Sequence, residues 1–188
     1  MKVLSRKILW EGKFLRTILI TYKDRKGRLR EWEAVSRVQH NDVVVIVAMT
    51  RDKELLLIRQ YRPSLDRYVI ELPAGLVEPA EDIIAAGRRE LIEETAHTSG
   101  HLTLLEEGVM STGINTERWR VLVAEDAEEV PEELSRVHGP DENEDIEVIK
   151  APLGNLYQVL EAYSSRGDEI DLRIHGLLEL AKKKLRSG

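Results

Sequence analysis

Three carboxylates fall within one short stretch of this chain, Glu90, Glu93 and Glu94 in Arg89-Glu90-Leu91-Ile92-Glu93-Glu94. On a helix Glu90 and Glu94 lie one above the other, and Glu93 sits three positions from Glu90. Carboxylates so close repel each other unless positive charge lies among them. A hard, oxygen-preferring cation, Mg²⁺ or Mn²⁺, would supply that charge. Arg89 can reach one carboxylate and fix its rotamer. The plainer alternative is a solvated face of Glu–Arg ion pairs, which contribute little.

The elements that must position these groups follow from periodicity. Residues 14–22 and 29–38 alternate in strand fashion about the turn tetrad Asp24-Arg25-Lys26-Gly27, which predicts a hairpin. The β-branched run at 43–49 reads as a strand buried on both faces. Strands follow at 54–61 and 68–72. The period then changes to that of a helix from Glu81 to about His97, with Pro79 at its first position and Ser99-Gly100 closing it. Strands at 102–105 and 118–123 are separated by a polar loop with Ser111-Thr112-Gly113. Residues 125–145 read as acidic and irregular, 146–149 as a strand, and 153–164 and 170–185 as helices. The pattern is that of one mixed α/β domain.

Composition narrows the classes. The 188-residue chain is 42% apolar and 33% charged, with 28 Lys+Arg against 34 Asp+Glu and a net charge of −6. That is enough apolar content for a packed core and excludes wholesale disorder. The negative sign argues against binding nucleic acid or anionic membrane by bulk charge. The lack of cysteine excludes a disulfide scaffold, a thiolate zinc site and a cysteine nucleophile. Neither a signal peptide nor an apolar stretch of the ~20 residues that span a bilayer is present, so a cytoplasmic location is expected.

Gly75, Glu81, Arg89, Glu90, Leu91, Glu93 and Glu94 stand at the spacing of the Nudix box, which segment 75–97 resembles. Ala96 and His97 occupy places where the box has glycine and an aliphatic residue. The resemblance implies an α/β/α sandwich with a mixed sheet, one domain over 1–188, and an N-terminal hairpin that swaps between subunits. Strands within 1–40 would then lie in a homodimer interface. It also implies Mg²⁺-dependent hydrolysis of a nucleoside diphosphate joined to another moiety, with Mn²⁺ able to substitute. Glu90, Glu94 and the carbonyl of Ala74 are the implied metal ligands.

Flanking segments resemble the ADP-ribose pyrophosphatase branch. They include 30–37, Gln60-Tyr61-Arg62-Pro63, Glu71-Leu72-Pro73-Ala74-Gly75, 141–148 and Asp171-Leu172-Arg173-Ile174. The resemblance implies that Trp32 and Phe14 stack on adenine. It implies that Arg37 and Arg62 face the diphosphate or terminal sugar, and that Leu76, Ser111 and Glu117 contact substrate. It makes Glu142 the catalytic base and Glu144 a further metal ligand, with Glu93, beside Arg89, as the alternative base. Trp32 could instead be a hairpin core residue, Arg37 a surface ion-pair partner, and the loop at 140–145 a solvated connection. Thr112 replaces a proline common in ADP-ribose enzymes. Two alternatives therefore stand beside ADP-ribose as substrate: another nucleotide sugar such as GDP-mannose, or a catalytically silent nucleotide sensor. The clustered carboxylates speak against the silent form.

Overall fold

The turn tetrad does close a hairpin. Asp24 Oδ1 accepts from the amides of Lys26 at 2.8 Å and Arg28 at 3.0 Å, and Gly27 sits at φ 75°, which glycine adopts without strain. The computed structural model describes residues 1–39, 42–131, 133 and 145–185. It has a first strand, β1 (Lys2–Glu11), unannounced by the sequence pattern. β1 pairs antiparallel with β2 (Leu15–Lys23), which pairs with β3 (Leu29–Arg37), and this three-stranded sheet stands apart from the main one.

The main sheet is built on β4 (Asp42–Thr50), buried on both faces as its β-branched run predicts. It continues through β5 (Glu54–Arg62), β6 (Arg67–Glu71) and β7 (Ala74–Leu76) to helix α1 (Ile83–Thr95). Then come β8 (His97–Thr98), β9 (His101–Gly108), β10 (Arg118–Glu129) and β11 (Ile146–Pro152). A 3₁₀ turn (Leu153–Asn155) leads into α2 (Leu156–Ser164), β12 (Glu169–Ile170) and α3 (Arg173–Leu185). The strand order is β12-β6-β5-β4-β10-β8, with β11 on β5, β7 on β4 and β9 on β10. β4 and β10 run parallel, whereas β5 and β6 run antiparallel, so the sheet is mixed.

Alternation along β4 sorts the core into two layers. Val44, Ile46 and Ala48 pack with Ala86 and Leu91 of α1. Val43, Val45, Val47 and Met49 pack with Leu156 and Leu160 of α2 and Ile174 and Leu178 of α3. Helices therefore cover both faces, the expected α/β/α sandwich.

Several boundaries differ from the sequence expectation. Pro79 does not begin the helix. It lies in a turn closed by Glu81 N to Glu78 O at 3.0 Å, with Ala80 at φ 64°. Asp82 caps α1 instead, its side chain accepting from Ile84 N and Ala85 N. The helix stops at Ala96, not at Ser99-Gly100, because Ala96 takes the left-handed conformation at φ 55°. Residues 125–129 are strand, not irregular: β10 runs on to Glu129 and pairs with β8. The final helix begins at Arg173 because residues 169–170 pair with β6.

Candidate active site

The side chain of Arg89 organises the carboxylate helix. Its Nε and Nη2 fork onto Glu81 at 3.0 and 3.1 Å, and Nη2 also reaches the Leu76 carbonyl at 3.0 Å. Its Nη1 donates to Glu90 at 2.8 Å and to Glu93 at 2.9 Å. The guanidinium is thus the positive charge among the carboxylates that their spacing demands. Glu81, foremost, raises the pKa of Arg89, and Arg89 in return holds the Glu81 carboxyl below its ordinary value.

Glu94 is buried, 6% exposed, and accepts from the Ala74 amide at 2.8 Å. It therefore ties α1 to β7 and is no part of a solvated face. Gly75, next in β7, lies so close to Glu90 that a Cβ would sit 1.9 Å from its carboxyl carbon. The glycine of the box is the space that the Glu90 carboxylate fills.

Gly75, Arg89 and Glu90 form one wall of a cavity of about 780 Å³, which Glu81 and the buried Glu94 do not line. Ala74, Gly75, Leu76, Arg89, Glu90 and Glu93 line it together with Arg37, Arg62 and Glu117. Arg37 Nε donates to Glu117 at 2.8 Å, and Arg62 Nε to Glu71 at 3.0 Å. Glu117 reaches the cavity because its loop docks on β3. Val35 N donates to Ile114 O at 2.7 Å and Thr116 N to Val35 O at 3.2 Å. The Ser111 carbonyl shapes that loop by accepting from Ile114 N and Asn115 N at 3.0 and 2.9 Å, but Ser111 does not line the cavity.

Phe14 and Trp32 do not line it either. Both are exposed, Phe14 beneath the Lys13 ammonium and Trp32 donating its indole N–H to Gly113 O at 3.2 Å. Glu142 and Glu144 lie outside the described residues. Polar and aromatic cavity residues without a role in the sequence reading include Ser64, Glu71, Glu78, Trp119 and Arg173. Of these, Glu71 and Arg173 carried a signal, standing in the segments 71–75 and 171–174 that resemble the ADP-ribose branch.

As the side chains stand, no group of three acidic or histidine residues among the described residues is arranged to hold an ion. Arg89 draws Glu90 and Glu93 to itself, and Glu94 is turned to Ala74 N. The donors are nonetheless all oxygen, clustered on one helix against a glycine that leaves room for them. That set fits a hard divalent cation.

The NUDIX domain family matches residues 39–166, and the chain belongs to that family. It is an enzyme of the Nudix hydrolase type. The ADP-ribose pyrophosphatase of Saccharomyces cerevisiae is 28% identical over 169 residues, covering 85% of this chain and 73% of that protein. The ADP-ribose pyrophosphatase of Bacillus subtilis is 27% identical over 161 residues, covering 86% and 83%. A crystal structure of an ADP compounds hydrolase superposes with a TM-score of 0.77 at 23% identity, over 99% of this chain and 94% of that one, which establishes the shared fold. No helix among the described residues is long and apolar enough to cross a membrane.

Proposed function

We propose that the enzyme hydrolyses the pyrophosphate bond of ADP-ribose, giving AMP and ribose 5-phosphate. The observation that carries this is the cavity itself, where a helix of clustered carboxylates faces Arg37 and Arg62. Such a pairing suits a diphosphate, which needs its charge neutralised on one side and its oxygens gripped by planar forks on the other. Names of the relatives add ADP-ribose as the substrate of choice.

In this reading Glu90, Glu94, the Ala74 carbonyl and Glu144 hold Mg²⁺, with Mn²⁺ able to replace it. When bound, the cation neutralises diphosphate charge and acidifies a water. Glu142 takes the proton of the attacking water, with Glu93 as the alternative base. Arg89 keeps the carboxylates in register through Glu81 and Leu76. Arg37 and Arg62 orient the diphosphate, and Leu76, Ser111 and Glu117 contact or shape the sugar side. Phe14 and Trp32 take the adenine when two copies associate through the strands of 1–40, so the working form is a homodimer of a single Nudix domain over 1–188. A cytoplasmic location goes with this reading.

Phosphate release through a coupled phosphatase, measured on a panel of nucleotide sugars, tests the reading. ADP-ribose should lead the panel, and activity should require Mg²⁺ or Mn²⁺. A preference for GDP-mannose would replace the substrate, whereas silence on every member would favour the sensor.

A further inference from the structure

Four arginines line the cavity. Arg37, Arg62 and Arg89 each bond a carboxylate that lines it too. Arg173 differs, because its partner Asp171 stands outside the wall. Arg173 Nε bonds the two Asp171 oxygens at 2.8 and 2.6 Å, and its Nη2 pairs with the same carboxylate. Its Nη1 makes no hydrogen bond among the described residues. Asp171 N donates to Ile70 O at 3.0 Å, so the first turn of α3 is fastened beside Glu71 at the end of β6. The guanidinium is held from behind with one edge left open.

Under it lies Trp119, with the guanidinium carbon 4.3 Å from the ring centroid. Trp119 is 8% exposed, lines the cavity, and has an indole N–H with no partner among the described residues. A guanidinium is a donor only, so the ligand that matches this wall is rich in acceptors. Trp119 is also the one aromatic lining the cavity among the described residues, and Arg173 covers it. Among the described residues no open aromatic slot for a base lines the cavity, and Phe14 and Trp32 lie elsewhere.

We propose that Arg173, carried over Trp119, grips the terminal sugar-phosphate half of the substrate, the half released as ribose 5-phosphate. This rests on the ADP-ribose reading above. It makes Arg173 a specificity-determining residue, since it rewards a compact, oxygen-rich terminal group.

Product inhibition separates the two halves of the substrate. In Arg173→Met, KM for ADP-ribose should rise about tenfold, as expected for a lost charged hydrogen bond. Inhibition by ribose 5-phosphate should weaken by a similar factor, while inhibition by AMP stays within about twofold. Arg173→Lys keeps the cation and should recover part of both losses. It also guards the test against a methionine variant that fails to fold. Equal weakening of both products, or of AMP alone, would overturn the proposal, as would no change in either. A thermal midpoint that falls with no selective effect would mean that Arg173 merely pins α3. If the wild type ignores ADP-ribose, the earlier reading fails by itself. Inhibition by the sugar phosphate and by the nucleoside monophosphate released from whichever nucleotide sugar turns over is then compared, and the same selective loss for the sugar phosphate upholds the role of Arg173.

Discussion

Gly75 and Glu90 are complementary by subtraction, since the carboxylate lies where a Cβ would be, 1.9 Å from the Glu90 carboxyl carbon. Gly75→Ala should therefore push Glu90 aside and cut turnover about a hundredfold, the scale of an ångström-sized misplacement in a catalytic group. The helix survives because the strain falls on one side chain, so a circular dichroism spectrum like the wild type's is expected. Glu94 makes a different test. Glutamine can still accept from Ala74 N, so Glu94→Gln should barely move the thermal midpoint, yet turnover should fall by about a hundredfold or more if the charge holds the cation. Near wild-type turnover at saturating Mg²⁺ would remove Glu94 from the metal site. Glu81 titrates in the folded protein below its ordinary value because Arg89 bonds it. A lowered carboxyl pKa adds stability above the unfolded value of about 4.3 and loses it as pH falls through the folded value. Glu81→Gln should accordingly flatten the decline of the thermal midpoint on the acid side of about pH 5, while leaving the variant less stable at neutrality.

At the level of elements, α1 ends on Ala96 in the left-handed conformation, φ 55° and ψ 29°, where the box has glycine. An L-residue there costs about 1–2 kcal/mol, partly offset by the greater chain entropy that glycine loses on folding. Ala96→Gly should thus stabilise by up to about 1 kcal/mol and raise the midpoint by roughly 2–4 °C for a chain of this size. A lowered midpoint would mean that the methyl group packs usefully. The same helix illustrates what the sequence makes legible. The spacing of its charges identifies the carboxylate face, because side chains three and four apart must share a side whatever surrounds them. Its start is misread because Pro79 suits a turn as well as a first helical position, and the φ of 64° at Ala80 is a tertiary choice. β4 is readable because burial on both faces leaves no alternation to hide. β1 is not, since all ten of its residues are exposed and no core face imposes a period. The extension of β10 to Glu129 depends on pairing with His97 and Thr98 of β8, a partner that local composition cannot reveal. Arg37 and Glu117 are implied as substrate contacts by resemblance, but their 2.8 Å ion pair needs the loop to dock on β3.

The whole molecule leaves its N-terminal sheet under-supported. Val3, Leu4, Ile8, Leu9 and Trp10 of β1 are each 45–59% exposed. Contacts of this sheet with the rest of the chain include the loop that docks on β3, the ion pair from Arg37 to Glu117 and the bond from Trp32 to Gly113. Exposed apolar residues on that scale mark an interaction surface, and in the homodimer proposed above a second copy of the chain would cover it and bring Phe14 and Trp32 to a cavity they do not line alone. Ile8→Glu with Trp10→Glu should convert a dimer into a particle of 21.5 kDa in sedimentation. A sharper test asks whether each site is shared. Trp32→Ala should raise KM for ADP-ribose more than it lowers turnover, because stacking acts alike in ground and transition states, and Glu94→Gln should lower turnover about a hundredfold or more, as above. In a mixed dimer of the two variants, one site would combine an intact Glu94 from the first chain with an intact Trp32 from the second. Mixing the two variants after co-refolding should then restore a wild-type KM, with up to half the wild-type turnover in each mixed dimer. If Trp32 serves the cavity of its own chain, every site in that mixture carries one defect and no wild-type KM emerges. Complementation therefore reads directly whether the adenine is held across the interface.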